Sequence, residues 1–295
     1  MSTVSHGGRA APEPMLFEAV AEEAFRRYRR MWKPATLRVN RVYLRNQIMP
    51  GFGGRPVADI TRSEVRQWFG KLHATPSAAN RSLPILSIIM RQAEAYGYRP
   101  EGSNPCTRIR RYREARRERF LTTAEIRRLG RVLADRQAAL PLQVAIVRLL
   151  LVTGCRQSEI RTLQWGDYRE GHLFLRDSKT GPRTVWLSSA GRRVLDQLTR
   201  ARRFVFPASG GPGPMSTETL YCAWRRLRVE ANLPGLRLHD LRHTYASFAL
   251  RRGENLVMIG RLLGHRDPDT TLKYTHFGDL VLRDAVETVA EALGA

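Results

Sequence analysis

The sequence predicts a mainly α-helical protein with a small antiparallel β-sheet, divided into two domains. Its 295 residues, 42% of them hydrophobic, are enough to build two separate cores. Apolar residues recur at helical spacing along most of the chain, whereas the short runs typical of strands occur only between residues 172 and 187. A stretch rich in glycine, proline and arginine, residues 99–120, separates the two helical regions and is typical of a linker.

The first domain is expected to span residues 14–98 and to be helical. The preceding residues, 1–13, are mostly small and polar, which predicts a disordered tail. Four amphipathic stretches then predict four helices, at residues 17–32, 36–48, 61–73 and 77–96. Pro84 falls inside the last of them and would kink or restart that helix.

Arginine is concentrated in the predicted linker, residues 99–120. Such a run of guanidinium groups suits a polyanion. We expect six of these side chains to contact this polyanion: Arg108, Arg110, Arg111, Arg113, Arg116 and Arg117. The alternative is a charged coil that is merely solvated.

The second domain is expected to span residues 121–295. Thr122 and Glu125 have the spacing of a capping box, which opens a helix. An apolar helix at residues 141–152 would end at Gly154, a residue suited to a left-handed C-cap. Two strand-like runs around DSKTGPR predict a β-hairpin. Further helices are expected at residues 189–203, 216–232, 239–252, 256–263 and 280–293.

The charge balance indicates a polyanionic partner. The 50 basic residues outnumber the 27 acidic ones, giving a net charge of +23 and a pI of about 11.2. Only four of the basic residues are lysines, at positions 33, 71, 179 and 273. Codon usage could explain the preference for arginine over lysine, but it does not explain the excess over acidic residues. Nucleic acid is therefore the favoured partner.

Apolar runs and cysteines indicate a soluble intracellular protein. The longest apolar candidate, residues 144–152, falls well short of the roughly 18 residues of a membrane span and contains Arg148. The N-terminus lacks the apolar segment of a signal peptide. The three cysteines form no C-x-x-C pair, which argues against a disulfide framework and against a thiolate zinc site; they are Cys106, Cys155 and Cys222.

Two histidines four residues apart raise the alternative of a zinc hydrolase. His239 and His243, with Asp240 after the first, approach the H-E-x-x-H motif of zinc proteases. Arg242, however, lies on the same helical face as His239, and a fixed cation there would repel a metal ion. The charge of Arg242 instead suits an anionic ligand, so we expect no metal at this position.

Four segments of the second domain carry further unusual polar residues. They are TGCRQSEIRTLQW with Arg156, DSKTGPRTVWLS with Lys179, LHDLRHTYAS with His239 and Arg242, and RLLGHRDPDTTLKYTH with His265 and Tyr274. In these motifs and in their order the chain resembles the tyrosine recombinase (phage integrase) family. The resemblance covers the whole second domain. The four N-terminal helices resemble, less specifically, the family's domain that binds the core recombination site.

The resemblance implies a role for each of these residues in cutting a DNA phosphodiester. Tyr274 would be the nucleophile, activated by His239 as a base, and Lys179 would protonate the departing 5′ oxygen. A lysine suits that task because a guanidinium does not release its proton. The remaining side chains would bind the scissile phosphate or orient the groups that do; they are Arg156, Arg242, His265 and Glu159.

Each of these residues also has an ordinary structural interpretation. Arg156 and Glu159 could be a surface ion pair, and Lys179 could be a solvated hairpin tip. His239 could cap its helix, and His265 could end one. Tyr245 competes with Tyr274 as the nucleophile, but its neighbours predict that it packs in the core. We expect His243 to pack beneath the site, and no role is assigned to His276.

The family resemblance also implies partners and a location. We expect a C-shaped clamp around double-stranded DNA, a 3′-phosphotyrosyl intermediate and a Holliday junction within a homo-tetramer, without metal or ATP. The helix at residues 280–293 would dock on a neighbouring protomer, or else on its own domain. Accessory proteins that bend DNA or set directionality would be further partners. The protein would act in the cytoplasm on the nucleoid of a bacterium, or for a phage or mobile element.

Two features depart from the family's usual form. Residues 185–187 read Val-Trp-Leu where the family often has a proline. The few residues before position 14 are too short for an arm-binding domain, which predicts either action on simple core sites or a truncated or compact member of the family. Two further functions remain open, namely a type IB topoisomerase that relaxes one duplex and a DNA-binding protein without catalytic activity.

Overall fold

The structure is a computed structural model that describes residues 14–114, 119–176 and 181–265. The chain divides into two compact units, residues 1–116 and 117–295. Within the described residues the units are mainly helical, and the only sheet is antiparallel with three strands in the order β1-β2-β3. The predicted fold class is confirmed.

The first unit is built from helices. They are α1 (Phe17–Tyr28), α2 (Pro34–Tyr43), α3 (Met49–Phe52), α4 (Arg62–Lys71) and α5 (Pro76–Ala95). The second predicted helix runs further than expected, because a π-helical turn at Leu44–Ile48 joins α2 directly to α3. The fourth, α5, continues through Pro84 as one helix, so the expected restart does not occur.

Aromatic side chains fill the core of the first unit. Phe17, Phe25 and Phe52 are almost completely buried, and Phe52 packs edge-on against Trp68 with ring centroids 5.4 Å apart. The indole N–H of Trp68 donates to the Gln47 carbonyl at 2.8 Å, so this partly polar side chain is satisfied within the core.

The first part of the predicted linker is packed on the helices of the first unit. Asn80 of α5 donates to the Tyr112 carbonyl and accepts from the Tyr112 N–H, both at 2.9 Å. The Tyr112 ring stacks on Phe69 at 4.8 Å between centroids. Earlier in this segment, Arg99 is buried and donates to the carbonyls of Val57 and Ala58. These contacts hold Arg99 and Tyr112 against the rest of the first unit.

The second unit surrounds a separate apolar core. Its helices are α6 (Thr123–Asp135), α7 (Pro141–Thr153), α8 (Gln157–Arg161), α9 (Ser189–Asp196), α10 (Thr217–Glu230), α11 (Asp240–Arg251) and α12 (Leu256–Leu263). The predicted capping box is present at the start of α6, where Thr122 Oγ accepts from the Glu125 N–H and the Glu125 carboxylate accepts from the Thr122 N–H.

The helix predicted at residues 189–203 ends early, at Asp196. Beyond it, the Arg203 carbonyl accepts from the Trp165 N–H at 3.1 Å, and the Val205 N–H donates to the Leu163 carbonyl at 2.9 Å. Val205 and Phe206 are buried in the core. The chain thus leaves the helix because this apolar run pairs with residues 163–165.

The strands form the predicted hairpin with one additional edge strand. β1 (Tyr168–Arg169) pairs with β2 (His172–Leu175), which pairs with β3 (Arg183–Trp186). In the register of β2 and β3, Leu173 lies opposite Val185, and both face the core. Alternate residues, including Phe174 and Trp186, are exposed, as the two-residue period of a strand requires.

Several predictions concern residues outside the described ranges. They include the tail at residues 1–13, the loop that carries Lys179, Tyr274 and the helix at residues 280–293. Among the helices that the structure does describe, none combines the length and apolar character needed to cross a membrane.

Candidate functional site

The turn between α7 and α8 places Arg156. Gly154 adopts a left-handed conformation (φ 62°), and its N–H donates to the Leu150 carbonyl, which ends α7. A Cβ atom added to this glycine would lie 2.6 Å from the ring of Tyr245 and would also press on Leu263. Position 154, the predicted left-handed cap, therefore requires glycine for two reasons, its backbone conformation and the close packing around it. Two residues later, Arg156 opens α8.

Arg156 is held by a buried carboxylate. Glu159 Oε2 accepts from the Arg156 backbone N–H at 2.8 Å, and Glu159 Oε1 accepts from Arg156 Nη1 at 2.9 Å. Arg183, from β3, donates to the same carboxylate, with Nη2 2.9 Å from Oε2. The Glu159 side chain is only 2% exposed, whereas that of Arg156 is 19% exposed. The pair is therefore not a surface ion pair, which was the structural alternative for these residues.

The two arginines keep Glu159 ionised. Burial alone raises the pKa of a carboxyl group, because it disfavours the charged form. For Glu159 the nearby charge of Arg183 and the hydrogen bonds from Arg156 and Arg183 outweigh this effect and hold its pKa below the ordinary value. The carboxylate is consequently charged at neutral pH and binds both guanidinium groups.

Arg242 is buried and bridges two parts of the backbone. Its Nη1 donates to the Gly154 carbonyl and its Nη2 to the Leu263 carbonyl, each at 2.8 Å. The residue as a whole is 3% exposed. The guanidinium thus lies between the turn that precedes Arg156 and the end of α12.

The start of α11 fixes the residues on either side of Arg242. Asp240 is buried and accepts from the Arg237 backbone N–H at 2.7 Å and from its guanidinium, with Nη2 at 2.6 Å. Thr244 accepts from the Leu121 N–H at 3.0 Å and donates to the Asp240 carbonyl. The acidic residue next to His239 is therefore engaged by Arg237.

His239 lies at the N-terminal end of α11 beside His243. The two rings are nearly perpendicular, with centroids 5.0 Å apart. Although His239 reaches the surface, burial of its ring, reinforced by the neighbouring His243 and Arg242, lowers its pKa to about 4. His239 is therefore neutral at pH 7 and can accept a proton.

The end of α12 places His265. Gly264 is left-handed (φ 67°) and donates to the Arg261 carbonyl, while the His265 N–H donates to the Gly260 carbonyl at 2.9 Å. These two bonds form a Schellman motif, in which the residue after the glycine turns away from the helix. The L-G-H sequence is thus a helix terminus that orients a partly buried histidine.

The structure brings three of the four motifs together. Arg242 contacts the backbone two residues before Arg156 and two residues before His265, while His239 begins the helix that carries Arg242. Near this point the charges of Arg156, Arg183 and Arg242 exceed that of one buried carboxylate. Such an excess of guanidinium suits a phosphate with two non-bridging oxygens. Lys179 and Tyr274 lie outside the described residues.

Tyr245, the alternative nucleophile, packs as the sequence predicted. Its ring lies against Gly154 and joins a small apolar cluster with Leu250, Ile259 and Leu263. Burial raises the pKa of the Tyr245 hydroxyl. A higher pKa makes its ionised, nucleophilic form rarer at neutral pH.

The arginines that were expected to contact DNA alternate with packed side chains. Arg108, Arg110, Arg111 and Arg113 are exposed, whereas Ile109 and Tyr112 pack against the core of the first unit. This alternation presents the charges to solvent on an ordered backbone. Arg116 and Arg117 lie outside the described residues.

Arg183 and Thr244 contribute to the site but were not identified from the sequence. Arg183 follows the Lys179 motif in a strand, where its position gives no indication that it reaches a carboxylate on α8. The position of Thr244, five residues after His239, does not reveal its bond to Leu121. Within the described ranges, no group of three His, Cys, Asp or Glu side chains could hold a metal ion.

Comparisons with known proteins identify the family. The family model described as "Phage integrase family" matches residues 119–279, and "Phage integrase central domain" matches residues 17–112. Tyrosine recombinase XerA of Saccharolobus solfataricus is 32% identical over 51% of this chain and 50% of its own, and the integrase of Haemophilus phage HP1 is 32% identical over 62% and 51%. The chain thus spans about half the length of these two relatives.

The fold also matches a solved structure. A lambda integrase (75–356) dimer bound to a core site has a TM-score of 0.72 at 21% identity, over 86% of this chain and 96% of that one. At this identity the likeness concerns the fold alone. The "Phage integrase family" model covers residues 119–279, more than half of the 295 residues, in the unit that holds the site. By this match and by the motifs assembled in that unit, the chain belongs to the phage integrase family.

Proposed function

We propose that this protein is a tyrosine site-specific recombinase that cuts and rejoins double-stranded DNA. The observation that carries the proposal is the position of Arg242, whose guanidinium holds Gly154 on one side and Leu263 on the other. This arrangement gathers Arg156, His239 and His265 from distant parts of the sequence around one cluster of positive charge. A DNA phosphodiester is the substrate that such a cluster fits best.

Arg156 and Arg242 stabilise the reacting phosphate. Negative charge on the non-bridging oxygens grows as phosphorus becomes five-coordinate, and guanidinium donors can bind these oxygens in pairs. His265 adds a further hydrogen bond to the phosphate, and Glu159 keeps Arg156 in place. Three of these four residues come from the two glycine-ended turns and the helix between them.

Tyr274 is the nucleophile in this proposal. Its hydroxyl oxygen attacks phosphorus and its proton passes to His239, which is neutral at pH 7. The bond from phosphorus to the 5′ oxygen breaks, and Lys179 gives a proton to that oxygen. The product is a 3′-phosphotyrosyl link and a free 5′-hydroxyl. The 5′-hydroxyl of a partner strand then attacks this link and releases Tyr274.

No metal or nucleotide cofactor enters this sequence of steps. The phosphotyrosyl bond is a phosphodiester like the one that was broken, so it retains the free energy needed for rejoining. The arginines provide the charge neutralisation. The reaction should consequently proceed in the presence of a chelator.

Arginine-rich surfaces provide the binding of DNA. The first unit, residues 14–98 with the basic segment 99–120, would lie along one part of the duplex, and residues 121–295 along the other. Arg108, Arg110, Arg111 and Arg113 are exposed and are proposed to contact phosphates. Arg116 and Arg117 are proposed to do the same, on the basis of the sequence alone.

A homo-tetramer is the proposed active assembly. A lambda integrase of the same fold has been solved as a tetramer bound to a Holliday junction. In this chain the apolar stripe at residues 280–293 would dock on a neighbouring protomer. The protein would recombine DNA on the nucleoid, for a phage or another mobile element.

A plasmid carrying two copies of the DNA that flanks the gene tests the proposed function. We expect the protein to exchange the two copies in EDTA without ATP, giving recombinant circles that a restriction digest identifies. Relaxation of supercoils without exchange would instead identify a topoisomerase. Binding without cleavage would contradict the proposal and identify a DNA-binding protein without catalytic activity.

A further inference from the structure

Arg183 lies at a point where three sequence motifs meet. It begins β3, the strand that pairs with β2, and its side chain is 11% exposed. Nη2 donates to Glu159 on α8, and Nη1 donates to the Leu262 carbonyl at the end of α12 at 3.2 Å. Nη2 also lies 3.6 Å from the sulfur of Cys155. One side chain thus joins the sheet, the Arg156 turn and the helix before His265.

Gly264 makes room for this side chain. A Cβ added at Gly264 would overlap the Arg183 guanidinium group and its Cδ. The glycine therefore has two functions, since it adopts the left-handed conformation that ends α12 and lets Arg183 pass beside it. Packing this tight fixes where the guanidinium can lie.

The Glu159 carboxylate binds two arginines and does not occupy all the donors of the Arg156 guanidinium group. A carboxylate that faced Arg156 alone could bind its fork with both oxygens, as bidentate pairs do. Here Oε2 is taken by Arg183 and by the Arg156 backbone N–H, which leaves Oε1 for Arg156 Nη1. Within the described residues, Nη1 is the only guanidinium nitrogen of Arg156 with a hydrogen-bond partner. The rest of the fork can bind an anion.

We propose that Arg183 is a positioning residue. It occupies one oxygen of the Glu159 carboxylate, so that Arg156 presents its guanidinium to the scissile phosphate. Without Arg183, Glu159 would close onto Arg156 as a neutral ion pair. The phosphate would then lose both the orientation of the Arg156 fork and one nearby positive charge. This inference rests on the proposed recombinase function.

The test compares strand cleavage by Arg183→Gln and Arg183→Lys with that of the wild type. The cleavage position is first mapped with the wild type on DNA flanking the gene, and rates are then measured at saturating protein. We expect Arg183→Gln to form the covalent adduct about 10- to 100-fold more slowly, with DNA affinity close to that of the wild type, at a temperature where both proteins are folded. Arg183→Lys should be intermediate, since one ammonium group cannot reach Glu159 and Leu262 as a fork does.

A surface variant serves as the matched control. Arg136 also pairs with a glutamate at 2.8 Å, but its side chain and that of Glu230 are 49% and 36% exposed. Arg136→Gln removes an Arg–Glu pair from the same unit and should leave the cleavage rate unchanged. A similar loss in both variants would overturn a specific role for Arg183.

Two modified substrates separate positioning of Arg156 from other effects. A methylphosphonate at the mapped position removes the phosphate charge that Arg156 neutralises, so the defects of Arg183→Gln and Arg156→Ala should both shrink on it. In a 5′-phosphorothiolate substrate the leaving group is a 5′ sulfur, which departs without a proton donor. Because Arg183 and Arg156 are proposed to act on the phosphate and not on the leaving group, this substrate should rescue neither variant.

Three outcomes would overturn the proposal. The first is an Arg183→Gln defect of the same size on all three substrates, which indicates general distortion. The second is rescue by the phosphorothiolate alone, which indicates an effect on protonation of the leaving group. The third is cleavage by Arg183→Gln at the wild-type rate. Absence of any adduct with the wild type would contradict the proposed recombinase function itself, and the role of Arg183 would fall with it.

Discussion

At the scale of single residues, the site depends on arginines whose positions are set by backbone carbonyls and one buried carboxylate. Arg242 donates to two carbonyls, whereas Arg156 and Arg183 share Glu159. A buried guanidinium group is costly unless hydrogen bonds and ion pairs compensate it, and these bonds offset part of that cost. In the proposed function, the same bonds preorganise the donors for a phosphate.

His239 gives the site a specific dependence on pH. Its pKa in the folded protein is lowered from 6.5 to about 4. At pH 5.5 a histidine of ordinary pKa is about 90% protonated, whereas we expect His239 to remain mostly neutral. The unfolded chain takes up this proton below pH 6.5 and the folded chain does not, so His239 makes folding less favourable as the pH falls from 6.5 towards 4.

An NMR titration of the histidine Cε1–Hε1 signals checks this prediction in the DNA-free protein. The His239 signal is assigned by its loss in His239→Gln, and it should show no midpoint between pH 7.5 and 5. That variant should also lose less stability than the wild type between pH 6.5 and 5. A midpoint near 6.5 would contradict the neutral base assigned to His239.

At the scale of elements, glycine-ended helices determine where the proposed catalytic side chains lie. α7 ends at Gly154 and α12 at Gly264, and Arg242 donates to a backbone carbonyl two residues before Arg156 and to one two residues before His265. Helix α11 then joins both ends, because Arg242 binds a carbonyl from each. The site therefore lies where the C-terminal ends of α7 and α12 come together, held by Arg242 of α11 and Arg183 of β3.

Substitution of Gly264 tests this arrangement. Gly264→Ala places a methyl group in a left-handed backbone and against Arg183, whereas Gly235→Ala meets the same backbone conformation (φ 69°) with no atom within 4 Å. We expect Gly264→Ala to lower the free energy of unfolding by at least about 1 kcal/mol more than Gly235→Ala, because overpacking adds to the backbone strain. Urea unfolding measures both. Equal losses would mean that Arg183 does not depend on this glycine.

Local sequence patterns predicted most elements, because each rests on short-range chemistry. The capping box at Thr122 and the left-handed cap at Gly154 depend on residues within one helical turn. Contacts between distant segments were not predictable in this way. The helix from residue 189 ends at Asp196 because Val205 pairs with Leu163, and nothing near residue 196 indicates that pairing.

The candidate site shows the same division. Family motifs predicted Arg156, His239, Arg242 and His265 as site residues, and the structure brings the segments that carry them together. Arg183 was missed because its partner, Glu159, is 24 residues away and belongs to another element. A side chain that acts through the tertiary structure leaves no local periodicity to recognise.

At the scale of the whole molecule, charge and composition agree with the proposed partner. The net charge of +23 is distributed over both units, and exposed arginines follow the ordered segment up to Arg113. Contacts between arginines and phosphates should release counterions, so DNA affinity is expected to fall steeply with salt. The two units would then bind DNA jointly while the second performs the chemistry.

Covalent capture of DNA tests the central claim, that Tyr274 cleaves DNA without metal. The protein is incubated in EDTA, without ATP, with a plasmid carrying the DNA that flanks its gene, and the reaction is stopped with SDS. We predict a covalent protein–DNA adduct with the wild type and with the control Tyr245→Phe, and none with Tyr274→Phe. An adduct that persists in Tyr274→Phe, or one that is lost only in Tyr245→Phe, would contradict the assignment of the nucleophile.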